Sequence, residues 1–300
     1  MISRLQDLIA PLTKAEFLMH FRERTVAFVR TSEPHRFGSL VDWDDLNHLV
    51  QSGVYPIEEL RVRESIPIPT SFYINQGRLD SAAFSSLMDR GADLIFNRLD
   101  KYVPRLSRLC YQLAEQTGDQ ATAEAIVTSG KDEARERVVT EDICVLQIAG
   151  SKRWQLCGPP IVNLLNDRSV PAYPQWVPIF DEVLRVGDFL FVPAGYWRRC
   201  ESRPGRSLEV CIMLEPLCGR DVVSWLTTQL AADETFNGPL TRYTDPSALA
   251  SREAALKARL IEQVQAWSLA GFLAERASAR SKEVVIRIQG TQNAADGPQA

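Results

Sequence analysis

The chain has 300 residues, of which 45% are hydrophobic and 24% are charged, and its formal net charge is −4 at pH 7. The length allows one large domain or two modest ones, and the composition is that of an ordinary globular protein. The acidic balance argues against a nucleic-acid-binding protein, which usually carries a basic surplus, and no run of eighteen apolar residues predicts a membrane span.

The first residues do not resemble a secretory signal, because Asp7 interrupts them and no long apolar core follows the early charge. Six cysteines are scattered along the chain without a CxxC pair. They are Cys110, Cys144, Cys157, Cys200, Cys211 and Cys218. This pattern predicts reduced thiols and a cytoplasmic protein. His20, His35 and His48 do not stand at ligand spacing from a cysteine pair, so no structural zinc site is expected.

The N-terminal part mixes helical and strand-like segments. Apolar spacing predicts a helix from Ile2 to Phe21, with a capping box at Thr13 and Glu16. Further predicted helices cover Trp43 to Val50, Ser81 to Arg90 and Val103 to Gln116. The predicted strands cover Thr25 to Val29, Leu60 to Arg63, Ser71 to Ile74 and Leu94 to Phe96.

Residues 122 to 214 change to the period of β-strands, with turn residues between the apolar runs. The predicted strands here are Ala125 to Thr128, Ile143 to Ile148, Arg153 to Cys157, Phe189 to Val192 and Ser207 to Leu214. Short strands at this spacing predict an antiparallel barrel or jelly roll. We therefore expect a mainly β fold with α: a double-stranded β-helix of the cupin or jelly-roll type, preceded by α/β elements and followed by helices.

The helical period returns from Arg220, and a second helix is predicted from Ser247 to Trp267. Val284 to Ile288 could form a last strand, and the polar end over 290–300 is predicted to be disordered. The expected regions are 1–215 with its barrel core at about 122–214, a helical segment over 216–280 that serves dimerisation, and a short strand with a tail over 281–300.

Two segments of the barrel region resemble the core of JmjC-type, cupin-fold oxygenases. One runs from Asp142 to Trp154 and ends in Gly150-Ser151-Lys152-Arg153-Trp154. The other runs from Gly187 to Trp197 and ends in Val192-Pro193-Ala194-Gly195-Tyr196-Trp197. With the helices after residue 220, the chain is similar over about residues 1 to 275 to the branch that contains ribosomal-protein hydroxylases and actinobacterial natural-product hydroxylases.

Enzymes of this family hold iron with a His-x-Asp pair before the first segment and a His after the second. The resemblance places those positions at Arg137, Val139 and Arg198. Residues two apart on a strand face the same side, so such a pair can reach one metal ion. Arginine stays protonated and valine has no ligand atom. The resemblance therefore implies a JmjC scaffold that has lost iron ligation, and we expect no metal and no cofactor.

The resemblance also places Lys152 where the family usually has the cation that grips the far carboxylate of 2-oxoglutarate. With Arg137 and Arg198 nearby, the pocket would hold up to three positive charges. It would then either contain paired acids or bind an anionic ligand. The alternative is a solvated Lys152 beside Arg153. Trp176 lies near the expected barrel mouth, so the candidate substrate-binding residues are Lys152, Arg137, Arg198 and Trp176.

The candidate catalytic residues are Cys200, Cys211 and Glu209. Strand alternation puts Cys200 on the face of Arg198, and it puts Glu209 and Cys211 on one face of the next strand. Neighbouring cations would lower the pKa of a thiol, and two thiols across a pocket could serve as base and acid for proton transfer at an α-carbon. Alternatively, the thiols fill core space and Glu209 is the salt-bridge partner of Arg198.

Three functions follow as alternatives. The first is a metal-independent enzyme that modifies a peptide or amino acid in a biosynthetic pathway, for example by epimerisation. The second is a non-catalytic pseudo-oxygenase whose cationic pocket binds an acidic peptide, a carboxylate or a partner protein. The third is an Fe(II)/2-oxoglutarate hydroxylase with displaced ligands. The carboxylates available for that role are Asp132, Glu133, Glu136, Glu141 and Asp142.

An apolar stripe follows the barrel region at helical spacing. Its members are Val222, Trp225, Leu226 and Leu230. The stripe predicts a homodimer, with packing on the barrel of the same chain as the alternative. We expect a peptide-like or amino-acid-like partner, either anionic or neutral, and neither a nucleic acid nor a membrane.

Overall fold

The computed structural model describes residues 4–63, 68–75, 78–130, 135–158, 176–240 and 245–279. The described residues fall into two compact units, which divide between Glu215 and Pro216. The predicted strand over 284–288 and the predicted tail lie outside the described residues. None of the helices in the described ranges combines the length and the apolar content that a membrane span needs.

The helices of the first unit have ends that the sequence specifies. They are α1 (Leu5–Ile9), α2 (Lys14–Glu23), α3 (Trp43–Ser52), α4 (Ser81–Arg90) and α5 (Pro104–Thr117). Thr13 caps α2 by accepting a hydrogen bond from the backbone N–H of Glu16. Left-handed glycines, of which Gly53 after α3 is one, end α3, α4 and α5. The single helix predicted from Ile2 to Phe21 is wrong, since Pro11 separates α1 from α2 and cannot continue a helix.

The strands of the first unit form two large antiparallel sheets and one hairpin. They are β1 (Ala27–Val29), β2 (Leu60–Arg63), β3 (Ile74–Asn75), β4 (Arg78–Leu79), β5 (Asp93–Phe96), β6 (Gln120–Thr128), β7 (Arg135–Val138), β8 (Asp142–Ala149), β9 (Ser151–Cys157), β10 (Pro178–Arg185), β11 (Phe189–Val192), β12 (Trp197–Ser202) and β13 (Ser207–Glu215). One sheet has the order β1-β11-β8-β13-β6-β5-β2, the other has the order β10-β9-β12-β7, and β3 pairs with β4.

The two sheets enclose one core, and helices cover the outer face of the larger sheet. Val145 of β8 and Leu190 of β11 share an apolar cluster with Trp154 and Leu156 of β9. On the other face, Phe17 of α2 belongs to a second cluster, to which α1, α3 and α5 also contribute. The predicted jelly-roll barrel with added helices is therefore confirmed. The strand predicted from Ser71 to Ile74 is wrong, because residues 70–72 form a 3-10 turn.

The second unit is helical, with α6 (Gly219–Ala231), α7 (Glu234–Asn237), α8 (Pro246–Ala266) and a helical run over 269–279. The stripe predicted on α6 is partly used inside this unit. Val222 is buried, and the ring of Trp225 lies edge-on to that of Phe272 with centroids 5.6 Å apart. Half of the large exposed apolar residues of this unit lie on α8, among them Leu260, Ile261 and Val264.

Candidate functional site

Hydrogen bonds join the turn before β12 to the residue that follows β7, and they set the register between these two strands. The backbone N–H of Gly195 donates to the carbonyl oxygen of Val139 at 2.7 Å, and the N–H of Val139 donates to the carbonyl of Tyr196 at 2.8 Å. The buried carboxylate of Asp142 accepts from the N–H of Ala194 at 2.7 Å. These bonds place Arg198 of β12 directly opposite Arg137 of β7.

Further opposed residue pairs of the four-stranded sheet continue the row of side chains that begins with Arg137 and Arg198. Cys200 of β12 lies opposite Trp154 of β9, and Ser202 lies opposite Lys152. Directly opposed residues of antiparallel strands face the same side of a sheet. Arg198, Cys200 and Lys152 therefore share the inner face of this sheet.

A small cavity of about 30 Å³ opens among these side chains. Its lining in the described part of the chain consists of Arg63, Ile126, Arg137, Lys152, Arg198, Cys200 and Glu209. The structure thus brings together five of the seven residues proposed from the sequence. Small-molecule sites usually enclose about 300 Å³ or more, so this cavity has room for a few water molecules at most.

A buried ion pair closes the inner end of the cavity. Lys152 Nζ donates to Glu209 Oε1 at 2.6 Å, and neither side chain is more than 4% exposed. The indole N–H of Trp154 donates to Glu209 Oε2 at 3.3 Å. Burial is the largest single influence and lowers the pKa of Lys152, but the charge of Glu209, the nearby Cys200 and Asp93 and the hydrogen bond to Glu209 together raise the pKa overall.

The partner expected for Glu209 was therefore wrong, because Lys152 rather than Arg198 pairs with it. Glu209 lies on β13 of the large sheet and points across the barrel to β9. The guanidinium of Arg198 lies instead over the ring of Trp154, 5.3 Å from the centroid. Among the described residues Arg198 makes no ion pair. It remains a half-buried cation that faces the cavity.

Two charged residues of the site were missed by the sequence reasoning. Arg63 of β2 lines the cavity and donates to the buried carboxylate of Asp93 at 2.7 Å. Glu124 of β6 pairs in register with Cys211 and lies two residues from Ile126, so it faces the same interior. Burial, and then the charge of Glu209, raise the pKa of Glu124, although Arg198 opposes this. The alternation of polar and apolar residues along β2 and the first part of β6 was the available signal.

The two candidate thiols have pKa values opposite to expectation. Burial raises the pKa of Cys200, although Arg198 and Lys152 act in the other direction. Burial raises the pKa of Cys211 further, and Glu209 adds to the effect. The predicted lowering by neighbouring cations is therefore wrong, because desolvation outweighs their charge. Both thiols are protonated at neutral pH.

Two proposed residues do not reach the cavity. Cys211 is 1% exposed inside the apolar core of the barrel and is not among the described lining residues. Trp176 is half-buried just before β10 and is likewise absent from that lining.

The side chains at the three positions that the resemblance assigns to the iron ligands offer no ligand atom. Arg137 is exposed, Val139 is 1% exposed within the apolar core, and Arg198 is a cation, so none supplies a lone pair. Within the described ranges, no group of three His, Cys, Asp or Glu side chains is arranged to hold a metal. Asp132 and Glu133, two of the proposed substitute ligands, lie outside the described residues.

A larger cavity lies outside the barrel. It has a volume of about 640 Å³, with Trp43 and Asn47 of α3 on one side and Leu94, Phe96 and Val127 of the large sheet beneath. None of the residues proposed from the sequence lines this cavity in the described part of the chain.

Comparison with known proteins identifies relatives of the barrel region. The JmjC domain family matches residues 101–220. Ribosomal oxygenase 2 of Mus musculus is 24% identical over 214 residues, which cover 69% of this chain and 46% of that protein. The bifunctional lysine-specific demethylase and histidyl-hydroxylase NO66 of Drosophila mojavensis is 25% identical over 211 residues, covering 67% and 23%. This chain therefore spans less than half the length of these relatives.

Solved structures show the same fold. YcfD, a ribosomal oxygenase from Escherichia coli in complex with cobalt and succinic acid, has a TM-score of 0.51 and 12% identity, over 85% of this chain and 68% of that chain. A further crystal structure of Escherichia coli YcfD has a TM-score of 0.50 and 15% identity, covering 85% and 67%. At this identity the likeness concerns the fold alone.

Proposed function

We propose that this chain is a non-oxidising JmjC-domain protein, related to the ribosomal oxygenases, that binds a carboxylate of a peptide-like ligand. The proposal includes the loss of iron ligation, because cations stand at two of the three family ligand positions and a buried valine stands at the third. The peptide-like ligand is proposed because the names of the relatives describe changes to lysine and histidine residues.

One observation carries the proposal. Arg198 faces the cavity as a half-buried guanidinium and makes no ion pair within the described residues. A partly desolvated cation of this kind favours an anionic partner, and a planar guanidinium matches a carboxylate with two parallel hydrogen bonds. Arg137 lies beside it at the exposed end of the same row and adds a second cation.

The test uses fluorescence anisotropy with two labelled hexapeptides, one of glutamate and one of glutamine. We expect the native chain to prefer the glutamate peptide. Because a hydrogen bond to a charged group contributes about 1.5–3 kcal/mol, Arg198→Glu should weaken binding by roughly tenfold or more. Arg220→Glu makes the same charge change on the exposed face of α6 and serves as the control. Equal loss in both variants, or no preference between the peptides, would contradict the proposal.

A second candidate is the metal-independent enzyme that transfers a proton in a biosynthetic step. The observation in its favour is that Cys200 and Glu209 line one cavity. Against it, the thiols have raised pKa values and Glu209 is engaged by Lys152. Peptide turnover in metal-free, oxygen-free buffer that disappears in the Cys200→Ala/Cys211→Ala double variant would support this candidate. Turnover that survives the double variant would remove the thiols from the mechanism.

We also propose that two copies pair through the second unit and that the protein works in the cytoplasm. The exposed apolar residues of α8 support pairing, because an interface related by twofold symmetry is complementary to itself. The six free cysteines support a reducing compartment.

A further inference from the structure

We infer that Glu209 is a built-in carboxylate that fills, from within the chain, an anion site formed by the Lys152 ammonium and the Trp154 indole N–H. The ligand class of this site is a small carboxylate, which enters only when the Glu209 side chain is cut back. The inference depends on the contacts of Glu209 with Lys152 and Trp154, and not on peptide binding by Arg198.

The contacts define a complete carboxylate site. One oxygen of Glu209 lies 2.6 Å from Lys152 Nζ, and the other lies 3.3 Å from Trp154 Nε1. Both donors come from β9, whereas Glu209 reaches them from β13 on the opposite sheet. One sheet therefore supplies both donors and the other supplies the carboxylate. The two donors would bind the carboxylate of a separate molecule through the same contacts.

Burial favours an anion beside the Lys152 ammonium. Lys152 is 4% exposed and Trp154 is fully buried, so water cannot solvate the ammonium freely. A buried charge without a partner is far less stable than a paired one. Once the carboxylate of Glu209 is removed, Lys152 will favour any anion small enough to reach it.

The adjoining cavity provides the approach. Arg63, Arg137 and Arg198 line it beside the ion pair, and Arg137 is exposed. Truncation of Glu209 to alanine removes a CH₂–CO₂⁻ group, which has nearly the size and charge of acetate. The vacated space and the existing cavity are then continuous, and positive charge lines the path.

The experiment measures thermal unfolding of the full chain and of Glu209→Ala in sodium acetate and in sodium chloride at equal ionic strength. We expect Glu209→Ala to have a lower Tm than the native chain. Acetate should restore a large part of the loss, with Tm rising with the logarithm of its concentration, because binding to the folded state alone stabilises it. The native chain, with its site filled, should show equal Tm values in both salts.

Acetamide and a second substitution provide the controls. Acetamide has the shape of acetate without the charge and should restore little. Acetate should also have no effect in the Lys152→Met/Glu209→Ala double variant, where the ammonium is gone. Equal recovery in acetamide, or acetate recovery without Lys152, would overturn the inference.

Should Glu209→Ala fail to fold in plain buffer, refolding from urea in acetate but not in acetamide supports the inference, and equal failure in both overturns it. Glu209→Gln gives an independent reading because it keeps the packing. It should lower Tm much more in the native background than in Lys152→Met, and equal losses in both backgrounds would overturn the inference. Peptide binding through Arg198 can fail while these results hold, so the two proposals are distinguishable.

Discussion

Arg198 and Lys152 are both cations inside one barrel, but their charges are balanced in different ways. Lys152 is fully enclosed and pairs with Glu209 at 2.6 Å. Arg198 is half-buried, lies over the ring of Trp154, and makes no ion pair in the described part of the chain. The difference follows from depth, because a buried charge needs a partner in the fold and a half-buried one can be shared with water or a ligand.

Glu124 should make the stability of the protein depend on pH. Its folded pKa is raised by burial, and then by Glu209, above the ordinary value of 4.5. Between these two values the folded chain binds more protons than the unfolded chain, so stability falls as pH rises through that window. Near pH 4, Glu124→Gln should therefore have the same free energy of unfolding as the native chain. Above that pH the variant should become progressively more stable than the native chain, until the difference reaches a plateau.

Urea unfolding of both proteins between about pH 4 and about pH 8 measures this difference. Glu23→Gln, at the exposed end of α2, is the matched control and should shift stability by less than about 0.5 kcal/mol at every pH. A constant difference between Glu124→Gln and the native chain over the whole range would show that Glu124 has an ordinary pKa.

The sequence allowed part of the site to be predicted at this scale. Strand alternation was enough to place Cys200 with Arg198, and Glu209 across from them. The pairing of Glu209 with Lys152 was not predictable, because it depends on how far apart the two sheets lie. The thiol pKa values were misjudged for the same reason, since sequence shows which charges are near but not how well water is excluded.

At the scale of elements, the Gly187-Asp188 motif acts by joining strands. Gly187 has φ +89°, and a Cβ there would approach the carbonyl oxygen of Glu33 to 2.7 Å. The buried Asp188 accepts hydrogen bonds from the backbone N–H groups of Thr31 and Arg185. The motif thus fixes the end of β1 against the turn between β10 and β11, which supports the edge of the barrel.

Most helices and the strands of the larger sheet were predictable, but β7 and β10 at the edges of the four-stranded sheet were not. β13 and β8 consist mostly of apolar residues, in alternation with other residues or in continuous runs. Both strands are buried along most of their length. β7 reads Arg-Glu-Arg-Val, and β10 is exposed over much of its length, because each lies at an edge of the four-stranded sheet. Edge strands carry charged residues that oppose unwanted pairing, and this hides their period from a pattern search.

The exposed face of α8 makes a specific prediction about pairing. Leu260, Ile261 and Val264 are 40–56% exposed, although they are large and apolar. If they form the interface between two copies, Ile261→Asp should place a charge inside it and halve the particle mass measured by light scattering after gel filtration. Ser251→Asp, on an exposed part of the same helix, should leave the mass unchanged. A single-chain mass for the native protein would exclude this dimer.

At the scale of the whole molecule, two antiparallel sheets form a barrel whose small cavity is lined mainly by charged side chains. The two sheets, the covering helices and the register of β12 with β7 all position an inner face. On that face the room left is about 30 Å³, and it is lined by arginine, lysine and glutamate side chains. A shared fold does not by itself convey a shared chemistry, because chemistry depends on the side chains that the fold presents.

Metal binding by the native chain is the most direct test of this view. The purified protein is incubated with excess Fe(II) without oxygen, desalted, and analysed for iron by mass spectrometry. Because Arg137, Val139 and Arg198 offer no ligand atoms, we predict far less than one iron per chain. One tightly held iron per chain, retained after desalting and lost when a carboxylate within the barrel is replaced, would contradict it.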